Sequence, residues 1–136
     1  METYKVTQSV SAERIADVLC NALEGGSNYW YMIIDKIEPR KWVFPHERSA
    51  KAVNSTKYLH EYPFNEGGAL IINDWSAEEP ELKDPVRLDS ERIAKGLQIM
   101  AESYAGHFAD LVAENDDAET ADVFLQCCIF GKCIYG

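Results

Sequence analysis

The residues best placed to do chemistry sit in one turn, Glu24-Gly25-Gly26-Ser27-Asn28-Tyr29-Trp30-Tyr31. Paired glycines let a backbone approach a ligand closely. Ser27 and Asn28 supply hydrogen-bond donors and acceptors, and Tyr29, Trp30 and Tyr31 supply faces on which a planar ring can stack. The same spacing also describes a helix end leading into a core strand, with Trp30 turned inward. Both uses are compatible if Tyr29 and Tyr31 share one side of a strand and Trp30 takes the other.

A second cluster, from Lys36 to Arg48, interleaves cations with aromatic rings, and Arg40, Lys41 and Trp42 stand at its centre. Guanidinium groups pair with phosphate and indole offers a stacking face, so this mixture suits an anionic ligand that carries a flat base. A solvated loop anchored by Trp42 and Phe44 is the plainer alternative. His107 has no serine or cysteine neighbour arranged for nucleophilic attack and reads as a partly buried structural histidine. The acidic run from Glu114 to Asp122 lacks the ligand order of a calcium loop and reads as a capped helix start beside a solvated face.

Catalytic signatures are missing from the sequence. It has no P-loop, no G-x-S-x-G, no H-E-x-x-H and no repeated H-x-T or H-x-S pair. It has no C-x-x-C pair, and no histidine stands at zinc-ligand spacing from a cysteine or another histidine. The expectation is a binding protein, with no catalytic residue, no metal and no cofactor.

Charge narrows the ligand class. The chain has 136 residues and a formal net charge of −10, which repels long phosphate backbones and argues against general DNA or RNA binding. Within residues 36 to 57, six cations face only Glu38 and Glu47, a local balance of +4 that leaves −14 elsewhere. Residues 102 to 122 carry Glu102, Asp110, Glu114, Asp116, Asp117, Glu119 and Asp122 with no lysine or arginine. No apolar run approaches the roughly eighteen residues of a membrane span, and the opening METYKVTQSV lacks a signal-peptide design, so a cytoplasmic protein is expected. Cys20, Cys127, Cys128 and Cys133 fall in apolar segments and read as reduced thiols.

The elements that must position these residues follow from hydrophobic period and punctuation. Tyr4 to Val10 alternates loosely, as a short strand would. Ser11 caps a first helix carrying Ile15, Val18, Leu19 and Ala22 on one face to about Leu23, where a glycine in the left-handed conformation ends it. Tyr29 to Ile37 reads as a strand. Residues 38 to 67 form a long loop-rich excursion with Pro39, Pro45 and Pro63, holding a short helix near Ser49 to Lys57. Gly68 to Trp75 reads as a central strand covered on both faces, and Val86 to Leu88 as a brief one. A helix opened by Asp89 or Ser90 then carries Ile93, Leu97, Met100 and Tyr104, with Gly96 implying a close packing partner. Gly106 separates a third helix, His107 to Glu114, and Asp116 or Asp117 caps a fourth from Ala118 to about Phe130, ended by Gly131. The result is a single α+β domain over residues 1 to 136, a small mostly antiparallel sheet packed against about four helices.

The segments EGGSNYWY (24–31), GGALIIND (67–74), RIAKGLQIMAESYAGHFADLVAENDDAETADVFLQCCIFG (92–131) and the closing Ile134-Tyr135-Gly136 resemble a large family of small proteins encoded in bacteriophage genomes. The resemblance implies an anti-defence protein that binds a cyclic nucleotide immune signal without cleaving it, a sponge of the anti-CBASS or anti-Thoeris type acting in the host cytoplasm. It implies a homo-oligomer, a cyclic dinucleotide or a cyclic ADP-ribose-type molecule as partner, and ligand contacts at 24–30 and from His107 to Thr120. The alternative is an acidic inhibitor that mimics nucleic acid and blocks a host defence enzyme, suggested by the acidic run. Neither long nucleic acid nor membrane is expected as a partner.

Overall fold

The computed structural model of the chain describes residues 2–44, 58–76 and 84–136. The helix expected near Ser49 to Lys57 lies outside the described residues. No strand forms at Tyr4 to Val10, where Tyr4 and Val6 stand exposed to solvent and no described strand pairs with them. Helix α1 (Ala12–Asn21) starts where Ser11 accepts the Arg14 amide at 3.1 Å, and it buries Ile15, Val18 and Leu19.

Beyond Asn21 the coil widens into a π-helical turn, Ala22–Gly26. Neither Gly25 nor Gly26 adopts a positive φ, so the left-handed cap expected there is replaced by a different use of glycine. A Cβ on Gly26 would run into the carbonyl oxygen of Ala118 and stand 3.3 Å from its carbon. The missing side chain admits the start of the last helix.

Strands β1 (Tyr31–Ile37), β2 (Ala69–Asp74) and β3 (Val86–Leu88) form an antiparallel sheet in the order β1-β2-β3. The first strand begins at Tyr31, two residues later than its composition suggests. Tyr29 and Trp30 belong to a turn in which the amides of Trp30 and Tyr31 both bond to the Ser27 carbonyl, at 3.1 and 3.2 Å. Strand β2 is central but covered on one face only: Leu70, Ile72 and Asp74 are buried, whereas Ile71 and Asn73 are half-buried. Among the described residues, helices cover just one side of this small sheet.

Helices α2 (Ser90–Ser103), α3 (Ala105–Val112) and α4 (Ala118–Phe130) complete an α+β architecture. Asp89 caps α2 and Asp117 caps α4, each accepting an amide of the first turn. Gly131, at φ 76°, ends α4 in the left-handed conformation. Tyr104 interrupts α2, so Gly106 lies within α3 instead of before it. At Gly96 a Cβ would lie 2.6 Å from Cys128 Cα, which is the close packing partner the sequence implied. Helix α4 is buried from Thr120 to Ile129 and forms the centre of the core beside Trp30, Leu70 and Met100. All four cysteines are free thiols.

Candidate functional site

The buried surface of α4 is apolar except for Thr120, Asp122 and Gln126, and a buried polar side chain must find partners. Asp122 gathers four. Its Oδ1 accepts the Ser27 hydroxyl at 2.7 Å and the Trp30 indole N–H at 2.8 Å, and its Oδ2 accepts the Tyr29 hydroxyl at 2.5 Å and the Gln126 amide at 3.0 Å. Burial, and then the bond to Asp122, raise the Tyr29 phenol above its ordinary pKa. Gln126 Oε1 in turn accepts the amides of Ile134 and Tyr135 at 2.8 and 2.9 Å. The Tyr135 hydroxyl donates to Asp74 at the end of β2.

This network decides the fate of the aromatic turn. Ser27 and Trp30 are fully buried, and their polar atoms are spent on Asp122, so neither faces a ligand. Trp30 packs against Phe130 at 4.9 Å between ring centres instead of presenting a stacking face. Asn28 remains exposed, and Tyr29 keeps an exposed ring with its hydroxyl tied down. The glycine turn borders an acidic hollow lined by Glu24, Asp116 and Asp117, the wrong sign for a phosphate. Tyr31 and Glu24 line a different pocket.

His107 and Thr120 do meet, with Nδ1 and Oγ1 3.0 Å apart, but Thr120 is buried. The pair joins α3 to α4, and Thr120 is withdrawn from any ligand. Much of the acidic run is similarly committed: Asp116 binds Arg14 and the Asn21 amide, Asp117 caps α4, and Asp122 is internal. Its carboxylates do not form one continuous solvent-facing row.

The basic-aromatic segment lies elsewhere. Arg40 is exposed and pairs with Glu66 at 3.2 Å, Lys41 is exposed, and half-buried Trp42 packs edge-on to Tyr62 at 4.9 Å. Lys36 Nζ stands 5.4 Å from the centre of the same Tyr62 ring. Tyr62 belongs to a 3-10 helix, Leu59–Phe64, whose opposite end helps build a pocket of about 350 Å³.

That pocket is walled by Cys20 of α1, by Leu23 and Glu24 of the π-helical turn and by Tyr31 and Ile33 on β1. Tyr58, Leu59 and His60 close it. Tyr58 and His60 stack with ring centres 5.7 Å apart and planes within 17°. Burial and the neighbouring Glu24 carboxylate push the Cys20 thiol up to about 11, and the same two causes raise Tyr31. The Tyr31 hydroxyl donates to the Leu23 carbonyl and holds the wall together. Such a pocket offers flat rings for stacking and one carboxylate for the N–H edge of a base. No lysine or arginine occurs among its described lining residues. Among the described residues no three histidine, cysteine or acidic side chains cluster as a metal site requires, and no helix is long and apolar enough to cross a membrane.

No family model, no curated protein and no solved structure matches this chain. Sequence reasoning missed Asp122, which it counted among the solvated acids from Glu114 to Asp122, and gave no role to Gln126. Their signal was visible, since an acid and an amide one helical turn apart interrupt a broad apolar surface. It also missed Tyr58 and His60, which lie in a stretch without helical or strand periodicity.

Proposed function

We propose that this chain binds and sequesters, without cleaving it, a small nucleotide signal of the cyclic dinucleotide or cyclic ADP-ribose class, as a phage anti-defence protein in the host cytoplasm. The stacked Tyr58–His60 pair, in one pocket with Tyr31 and Glu24, carries this reading. A base stacked there gains on the order of 1–3 kcal/mol, and Glu24 accepts its amino or imino hydrogens. A volume of about 350 Å³ lies at the low end of ligand pockets and suits one base with part of its sugar.

Sequestration at nanomolar levels requires roughly −12 kcal/mol, more than one stacked base supplies. A second ring face for the other half of the ligand and contacts to its phosphates supply the remainder. Arg40 and Lys41 are exposed cations for the latter role. The acidic-inhibitor reading loses support because Asp116, Asp117 and Asp122 serve the fold.

The test is to incubate the purified protein with a panel of cyclic dinucleotides and cyclic ADP-ribose isomers, remove free ligand, heat, and identify what is released by chromatography. Unaltered ligand is expected. Uptake of none of the panel overturns the proposal, and recovery of a changed molecule identifies an enzyme instead.

A further inference from the structure

Residues directly opposed across antiparallel strands share one face of the sheet. Asp35 opposes Ile71 and Ile71 opposes Arg87, so one row crosses all three strands as carboxylate, aliphatic and guanidinium. This is the face the described helices leave open. Beside that row Met32 and Ile34 are 42% and 46% exposed. Trp75, 55% exposed, is held at the end of β1 by its indole N–H bond to the Tyr31 carbonyl at 2.9 Å. An antiparallel sheet facing water presents polar residues on its open side; this one carries methionine, isoleucine and tryptophan beside Asp35, Asn73 and Arg87.

We infer that the open sheet face is the contact surface for a second copy of this chain, in a closed two-fold dimer whose axis runs along β2. The charge row selects both the partner and the axis. A two-fold axis along β2 exchanges the β1 side for the β3 side, setting Asp35 over the partner's Arg87 and Arg87 over the partner's Asp35. An axis across the strands would set like charge on like charge. Ile71 then lies at the centre, with Met32, Ile34 and Trp75 around it, at the roughly 10 Å spacing of stacked sheets. Among the described residues Arg87 bonds only to Asp89 and the Gly67 carbonyl, at 3.3 and 3.4 Å, which leaves part of its fork for this contact.

Edge-to-edge pairing through β1 is the competing geometry, and the strand opposes it. A bulge between Ile33 and Asp35 breaks the ladder, and Asp35 and Lys36 add charge to the edge. The dimer contact is independent of ligand, so its failure and the failure of the ligand reading are separable.

Sedimentation velocity of the full chain without ligand, over a wide concentration range, measures the contact. A monomer–dimer equilibrium is expected, and Ile34→Lys, on an exposed side chain, should raise the dissociation constant about tenfold or more. Asp35→Arg and Arg87→Glu should each weaken the dimer, and the double variant should recover it. A chain that stays monomeric, an assembly that grows without closing at two, an Ile34→Lys dimer as tight as the parent, or a double variant no tighter than the singles would each overturn the inference.

Discussion

The Trp30 indole N–H ends on Asp122 Oδ1, 2.8 Å away, and both residues are buried. The most aromatic turn of the chain is therefore a structural joint between the start of the sheet and the centre of the core. Asp122→Ala would strand the Ser27 hydroxyl, the Tyr29 hydroxyl and the Trp30 indole together. The expected loss is about 3 kcal/mol or more by urea denaturation, against about 1–3 kcal/mol for Trp30→Phe, which removes one donor and leaves most of the ring. A loss under about 1 kcal/mol for Asp122→Ala would mean that the network is not formed.

Glycine substitutions separate close approach from flexibility. Gly96→Ala adds a Cβ 2.6 Å from Cys128 Cα, so α2 and α4 must part, and a loss of about 1–3 kcal/mol outweighs the gain in helix propensity. Gly106→Ala in α3 meets nothing within 4 Å and should stabilise by up to about 1 kcal/mol. Thermal melts of the two variants should move in opposite directions. Parallel shifts would contradict the packing described.

What the sequence made legible follows the range of each interaction. The ends of α4 were readable because Asp117 and Gly131 act within one helical turn, and Gly96 was readable because a glycine amid good helix formers needs a packing reason. The burial of Trp30 was one of two readings of its turn, but its partner Asp122 was not legible, since it lies 92 residues away. The pocket was half readable: Tyr31 was named from the turn, whereas Tyr58 and His60 emerge only once the 3-10 helix folds back against β1.

Asp117 makes α4 sensitive to acid. Its carboxylate accepts the Thr120 amide, and that bond lowers its pKa below the ordinary value of 3.8. A depressed pKa gives stability that is complete above the unfolded-state value and is lost as pH falls through the folded-state value. The parent should therefore lose part of its stability at acid pH, below the ordinary carboxylate range. Asp117→Asn keeps a capping oxygen and should flatten that part of the profile, while Asp117→Ala should be less stable at neutral pH. Equal pH profiles for parent and Asp117→Asn would remove the cap from the account.

Cys20 reports on the pocket directly. With its pKa pushed up to about 11, only about one thiol in a thousand is ionised at pH 8. Iodoacetamide should modify this half-buried thiol slowly at neutral pH and faster as pH approaches 11. Glu24→Gln removes the nearby charge and one of the causes of the shift, so it should bring the onset to lower pH. Fast alkylation at neutral pH, read by peptide mass spectrometry, would contradict the environment described.

Binding and stability should come apart at Tyr58. Its side chain is 58% exposed, so Tyr58→Ala should change unfolding free energy by no more than about 0.5 kcal/mol. The same change removes one ring of the stack with His60, and loss of a stacking face costs about 1–3 kcal/mol, roughly tenfold to a hundredfold in affinity for the bound nucleotide. Trp30→Phe should do the reverse, lowering stability while affinity of the folded protein is kept, because Trp30 is sealed behind Asp122. Calorimetric titration of both variants at a temperature where each is folded makes the comparison. If Trp30→Phe loses affinity and Tyr58→Ala does not, the ligand sits at the glycine turn and the pocket beside the 3-10 helix is the wrong site.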